Sequence, residues 1–349
     1  MSSAAHTTTT ADSEFAAGLR SGVRGLGGIA AVRDNLDDPT EVRRAHRRMM
    51  DEMGLAGLLV TEELGGLDTS IRTAAALGRV AGEVPAADLL GPYVEAPVIL
   101  GILHAGHPDD AVRELAARTL TTMADGGDTV TVSTDGLVFD AEASELVVVY
   151  QDESLHLVPT RALDLTELPA FDPTRTVHRI DPVSVLGAGE LLAAGEIASE
   201  IAGAALVAGR VYLAAELEGT ARAVLDATVE FLRSRIAFGR PLGSFQALKH
   251  QLAEMWSEVS LIGPLIEEAA RALDDGEDAD EAALCAAAAL SFAADTAVAV
   301  CERGLQLHGG IGYTWESPVH IWLKRAAANR VRLGTPHTLR AELAALIDI

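Results

Sequence analysis

Residues 233–255, RSRIAFGRPLGSFQALKHQLAEM, decide how this chain is read. The text before them, from about Gly195 to Arg235, is rich in Ala, Leu and Glu and holds no proline, which predicts one long helix. Gly239, Pro241 and Gly243 then break the pattern, and a second helix is expected from Phe245 to Leu273. Ser244 stands where it can cap that helix, and Gln246 falls in its first turn. Arg235 therefore sits at a helix end, beside a turn and a following helix N-terminus. A fork-shaped guanidinium, amide donors and a helix N-terminus together suit a pyrophosphate. The same residues also make an ordinary inter-helix turn whose arginine pairs with Glu230 or another acid.

Toward the C-terminus, a further helix is predicted from Glu281 to His308 after the acidic loop DDGEDADEA, and a final pair lies either side of Gly334-Thr335-Pro336. In Gln306-Leu-His308-Gly309-Gly310-Ile-Gly312-Tyr313, three glycines in four residues remove side chains where a backbone approaches something closely. A helix C-cap followed by a tight turn accounts for them equally well. His250, His308 and His320 share no spacing with other ligands and read as structural, with no metal site.

Toward the N-terminus the first third also reads as helices. One opens at Pro39-Thr40-Glu41 and runs through Met50, another spans Ser70 to Gly82, and two more cover Leu89–His104 and Asp109–Met123. Between Gly126 and Ala193 the texture changes to short β-branched runs: TVTVS, GLVFD, ELVVVYQDESLHLVPT, then Phe171–Arg175 and Val177–Ile180. The expected fold is mainly α with a small β domain. It comprises an N-terminal helical domain over 1–125, an abbreviated middle β domain over 126–192 and a C-terminal helical bundle over 193–349.

Composition narrows the function. Asp and Glu total 51 against 27 Lys and Arg, a formal charge of −24, which argues against nucleic acid or an anionic membrane as partner. Only Lys249 and Lys324 are lysines, so phosphorylated ligands need particular arginines. Cys285 and Cys301 lack CxxC spacing and read as small buried hydrophobes in a reduced compartment. No run is expected to reach the ~18 apolar residues of a membrane span. The polar start MSSAAHTTTTADSEF lacks the plan of a signal peptide, so a cytoplasmic location is expected.

Three stretches, in order, resemble the acyl-CoA dehydrogenase family: GLAGLLVTEELGGLDTS at 54–70, the 233–255 segment, and GLQLHGGIGYTWESPVHIWLKRA at 304–326. The resemblance runs from roughly Asp34 to Leu343. It implies an acyl-CoA dehydrogenase fold with a C-terminal four-helix bundle, FAD as cofactor, an acyl-CoA substrate and electron-transfer flavoprotein as electron acceptor. It also implies that Arg235, Phe238, Gln246, Gln306, Gly309, Gly310 and Thr335 are cofactor-binding positions. In the family the glycine loop grips the ADP half of FAD from the neighbouring subunit, so an oligomer is implied.

The pattern fails at the base. The family removes an α-proton with a glutamate that opens an EGT motif, and here KRAAANRVRLGTPHTLR puts Leu333 at that position and His337 at the usual glutamine. The minority position on the preceding long helix falls at Gly209, followed by Arg210. Glu216 and Glu218 lie about 10 Å further along that helix and read as solvent-face charges. No TEPxAGSD-like flavin-ring motif occurs between Thr122 and Ala193. The chain thus resembles the glutamate-lacking partner subunit of actinobacterial α2β2 enzymes that oxidise CoA thioesters of steroid side chains. Two other readings stay open: an active homo-oligomer with a displaced base such as Glu316, and a non-enzymatic acyl-CoA or flavin-binding scaffold.

Overall fold

A computed structural model describes residues 10–86, 91–127, 129–276 and 278–347. The helices are α1 (Thr10–Gly25), α2 (Gly28–Asp34), α3 (Thr40–Glu52), α4 (Ile71–Glu83), α5 (Ala96–Gly106), α6 (Asp110–Ala124), α7 (Pro182–Leu186), α8 (Glu196–Ser234), α9 (Gln246–Ser260), α10 (Ile262–Asp274), α11 (Ala279–His308), α12 (Val319–Asn329) and α13 (Pro336–Leu346). The strands are β1 (Val130–Ser133), β2 (Leu137–Phe139), β3 (Leu146–Gln151), β4 (Ser154–Pro159), β5 (Leu165–Leu168), β6 (Val177–Ile180), β7 (Glu190–Ala194), β8 (Ile236–Ala237) and β9 (Arg240–Pro241). The chain is mostly helical with a small sheet region, as its composition predicts. It forms two compact units: a helical unit of residues 1–37, 75–85 and 210–349, and a sheet unit of residues 38–74 and 86–209.

In the sheet unit, one sheet has the order β1-β3-β4-β7, with β1 parallel to β3 and the other pairs antiparallel. A second, antiparallel sheet has the order β2-β6-β5. Val130, Val132, Val148, Leu155, Leu157 and Leu192 pack with Ile99, Leu100, Leu103 and Leu120 in one core. Burying each such side chain stabilises the unit by roughly 1.5–3 kcal/mol. The 54–70 segment is a compact loop whose Leu55 and Leu58 are fully buried, as its apolar text predicts.

In the helical unit, small residues let helices approach closely. A Cβ on Gly82 would fall 1.9 Å from the Glu216 carbonyl oxygen, and one on Gly219 would fall 1.9 Å from that of Arg79. Glycine is therefore required on both faces of the α4–α8 crossing. Arg79 lies there too, donating to Glu218 at 2.7 Å and to Glu267 at 2.9 Å, and so ties α4, α8 and α10 together. Around it, α11 packs on α10, α12 and α13.

Several expectations are corrected. The helix expected over Phe245–Leu273 is two helices, α9 and α10, because Pro264 has no N–H and its ring clashes with the carbonyl four residues earlier, at Ser260. Phe171–Arg175 is a turn and not a strand: Asp172 Oδ1 accepts from the Thr174 amide at 3.0 Å and hydroxyl at 2.7 Å, an Asx turn. Strands β5 and β7 are additional to the sequence reading. The start of the Leu89 helix lies outside the described residues; from Gly91 to Glu95 the chain forms a π turn before α5. Helices α8 and α11 are, by length and composition, apolar enough to cross a membrane, contrary to the expectation from sequence. Most of the apolar stretch of each is buried inside the protein.

Candidate functional site

Helix α8 ends at Ser234, and the Arg235 amide closes its last turn on the Phe231 carbonyl at 2.9 Å. The chain then reverses in the two-residue ladder β8–β9, with Leu242 N bonded back to Arg235 O at 2.9 Å. Phe238 and Gly239 form the tip, and both have positive φ, 53° and 75°. Glycine adopts this conformation freely, whereas a phenylalanine there is strained. Phe238 is also 90% exposed. Its ring meets Phe245 edge-on at 6.2 Å, and the Arg240 guanidinium stacks over Phe245 at 3.9 Å. Phe238 is thus a strained aromatic held out at a hairpin tip, with Phe245 and Arg240 packed beside its base.

Arg235 is exposed and has no ion-pair partner among the described residues, so the turn-arginine alternative pairing with Glu230 is not what forms. Gln246 opens α9 and is exposed. Ser244 does not cap this helix: the N-cap is Phe245, without a side-chain bond, because Leu242–Ser244 coil into a 3₁₀ turn. The α9 N-terminal amides thus carry no protein side-chain cap.

Gln306 is exposed on the last turn of α11, and Gly309 and Gly310 follow it on the surface. Gly309 has φ 63° and ψ −145°, a region open to glycine alone. The structure joins this loop to the hairpin through His308, whose ring stacks on Phe231 with centroids 4.5 Å apart. The Arg235 guanidinium, the Gln246 and Gln306 amides and the side-chain-free glycine backbone are exposed donors of the kind that fits the ADP half of FAD, with Phe238 an exposed apolar ring beside them in sequence. Thr335 caps α13, its Oγ1 accepting from the Thr338 amide at 3.2 Å.

At the base position, Leu333 has φ 57° and Gly334 φ 119°. Arg210, 5% exposed, holds this turn: its Nε donates to the Leu333 carbonyl at 3.1 Å. Nη1 and Nη2 fork onto Glu342 at 2.7 and 2.9 Å. Where the resemblance would put a carboxylate, the chain has an arginine-centred brace.

The expectation that Glu216 and Glu218 face solvent is wrong. Glu216 is 2% exposed and pairs at 2.9 Å with Arg325, itself 1% exposed. Glu218 is held by Arg79. Two residues apart on α8, they point to different sides of the helix, Glu216 toward Arg325 on α12 and Glu218 toward Arg79 on α4, and each side is covered by a packed helix that supplies an arginine. Glu316 is exposed, and its carbonyl accepts from Arg33 Nη1 at 3.1 Å. Arg210, Arg240, Phe245 and Arg325 were missed as site or brace residues. Arg240 and Phe245 lie inside the quoted motif and could have been found there; Arg210 and Arg325 depend on partners distant in sequence.

The C-terminal domain family of acyl-CoA dehydrogenases matches residues 199–347. Over 302 residues the chain is 32% identical to acyl-CoA dehydrogenase IpdE2 of Mycobacterium tuberculosis, covering 85% of this chain and 84% of that protein. The fold is similar to that of a chain in the ChsE4–ChsE5 complex from Mycobacterium tuberculosis, with a TM-score of 0.82 at 20% identity, over 98% of each chain. It is also similar to the Tcur3481–Tcur3483 steroid acyl-CoA dehydrogenase, with a TM-score of 0.77 at 22% identity, over 97% of this chain and 98% of that one. The protein belongs to the acyl-CoA dehydrogenase family, oxidoreductases that act on CH–CH bonds.

Proposed function

We propose that this chain is the partner subunit of a heteromeric, cytoplasmic acyl-CoA dehydrogenase. It lends Arg235, Phe238, Gln246, Gln306, Gly309 and Gly310 to the ADP side of an FAD whose ring and catalytic glutamate belong to a second subunit. FAD supplies the hydride acceptor when bound; this chain's residues bind its phosphates and exclude water. The observation that carries the reading is the pairing of an exposed ADP-side surface with a base position braced by Arg210 and lacking a carboxylate. Support for a two-subunit enzyme comes from the fold shared with the ChsE4–ChsE5 complex. Support for a steroid CoA ester as substrate comes from the fold shared with a steroid acyl-CoA dehydrogenase; that the ester is on the steroid side chain and that the assembly is α2β2 are proposed from the sequence resemblance. Electron-transfer flavoprotein is the proposed acceptor.

The test is reconstitution: the chain alone and the chain co-produced with a glutamate-bearing homologue encoded beside it, each assayed for acyl-CoA-dependent flavin reduction. Activity in the pair alone supports the reading. Full turnover by this chain alone contradicts it.

A further inference from the structure

The two loops proposed to touch the cofactor leave their helices beside one ring stack. Phe231 lies in the last turn of α8, one turn before Arg235, and His308 is the last residue of α11, one residue before the glycine loop. Their planes are 21° apart with centroids at 4.5 Å. His308 Nδ1 lies 2.8 Å from the Gly304 carbonyl; a carbonyl only accepts, so Nδ1 carries the proton and the bond fixes the ring's rotation. Gly304 itself sits hard against α8, where a Cβ would fall 2.4 Å from Val224 Cγ1. Two successive turns of α11 are thereby registered on α8, and both loops start from the end of that contact.

The glycine loop also folds back on the same residue. A Cβ on Gly312 would fall 2.6 Å from the Leu305 carbonyl oxygen and 3.0 Å from His308 Cβ. On the other side, Gly243 closes the hairpin onto α8, where a Cβ would lie 3.1 Å from the Leu232 carbonyl oxygen. His308 thus has the glycine turn on one side and the root of the hairpin on the other. Being 9% exposed, it is shielded from ligand contact.

We propose that His308 is a positioning residue that couples the glycine loop to the Arg235–Gly239 hairpin, holding Gln306 and Gly310 at a fixed separation from Arg235. The proposal rests on the reading of these loops as an FAD half-site for its purpose, whereas the coupling itself does not depend on it. It is tested by hydrogen–deuterium exchange of the full-length chain as wild type, His308→Ala, His308→Phe and, as an independent break of the stack, Phe231→Leu. His308→Ala and Phe231→Leu are expected to speed exchange in residues 235–240 and 309–314 together. His308→Phe, which keeps the stacked ring, retains the protection of 235–240. In the co-purified complex, FAD affinity is expected to fall roughly threefold to tenfold with His308→Ala, the range an aromatic pair supports, and to recover with His308→Phe. Faster exchange confined to 309–314, or no recovery with phenylalanine, overturns the coupling. Joint loosening of both loops alongside a wild-type complex that carries no flavin keeps the coupling and removes the cofactor reading.

Discussion

Arg210 Nε donates to the carbonyl of Leu333 at 3.1 Å, joining the helix that carries one family base position to the turn that carries the other. The same guanidinium forks onto Glu342, on α13. The turn it holds includes a non-glycine residue at positive φ, a conformation that costs of order 1 kcal/mol or more and persists only when its surroundings impose it. In this chain the turn at Leu333 has a structural duty, tied by Arg210 to α8 and α13.

Arg210→Ala therefore removes one bond to a strained turn and leaves Glu342 without its partner. Glu342 is 39% exposed and can recover water, so the loss is expected to be about 1–3 kcal/mol, less than for a fully buried pair. Arg210→Lys should not rescue it, since an ammonium cannot fork. Denaturant unfolding of the two variants checks both statements.

Leu333→Glu should not by itself create turnover. A carboxylate at 333 stands next to the carbonyl that Arg210 already holds, and a neighbouring guanidinium lowers a carboxylate's proton affinity. Flavin bleaching by an acyl-CoA in a complex carrying this variant, at sites beyond those of the catalytic subunit, would contradict this reading of the turn.

Glu216 and Arg325 form a buried pair, and removing either partner alone is expected to destabilise the helical unit by about 3–5 kcal/mol. The double replacement Glu216→Leu with Arg325→Met should recover part of that loss. Because Glu216 faces Arg325 and not a substrate, Glu216→Gln should leave kcat per folded complex unchanged. A thermal melt and a steady-state assay of the same samples separate the two effects.

Phe238 makes the opposite prediction. Its side chain is 90% exposed and its φ is 53°, so Phe238→Gly removes strain and almost no buried area. The lone chain should be unchanged or more stable by up to ~1 kcal/mol, while FAD retention in the complex falls. Loss of stability with unaltered flavin content would show the ring to be structural.

Burial holds the His46 imidazole below its ordinary pKa, only partly offset by its bond to the Val42 carbonyl. The unfolded chain takes up that proton near the usual histidine value of about 6.5, whereas the folded chain resists it. The stability from neutral His46 is complete above that value and is lost as pH falls below it toward the folded-state value. Melting temperature should fall as pH drops below about 6.5, and less steeply in His46→Gln, compared at matched ionic strength.

The long elements were legible because their signals are local. The runs behind α8 and α11 are proline-free and rich in good helix formers, and Pro336 and Asp109 mark helix starts by their own chemistry. The α9–α10 break was missed because the steric effect of Pro264 falls at Ser260, a residue with no breaking tendency of its own. The inward turn of Glu216 was illegible for a different reason. Its partner, Arg325, lies on α12, 109 residues away, and no spacing within α8 announces that neighbour. Arg235, Phe238 and Gln246 are named as cofactor positions through the resemblance of their motif, and the structure places all three on the surface. The brace at Arg210 depends on Leu333 and Glu342, more than a hundred residues away, and only the fold brings them together.

The most direct test is an ultraviolet–visible spectrum with FAD stoichiometry, taken on this chain alone and on the chain co-purified with its catalytic partner. Flavin is expected only in the complex, at about one FAD per pair of chains, the shared site counting each cofactor once. One flavin per chain in the lone protein, bleached by an acyl-CoA, would contradict the partner-subunit role.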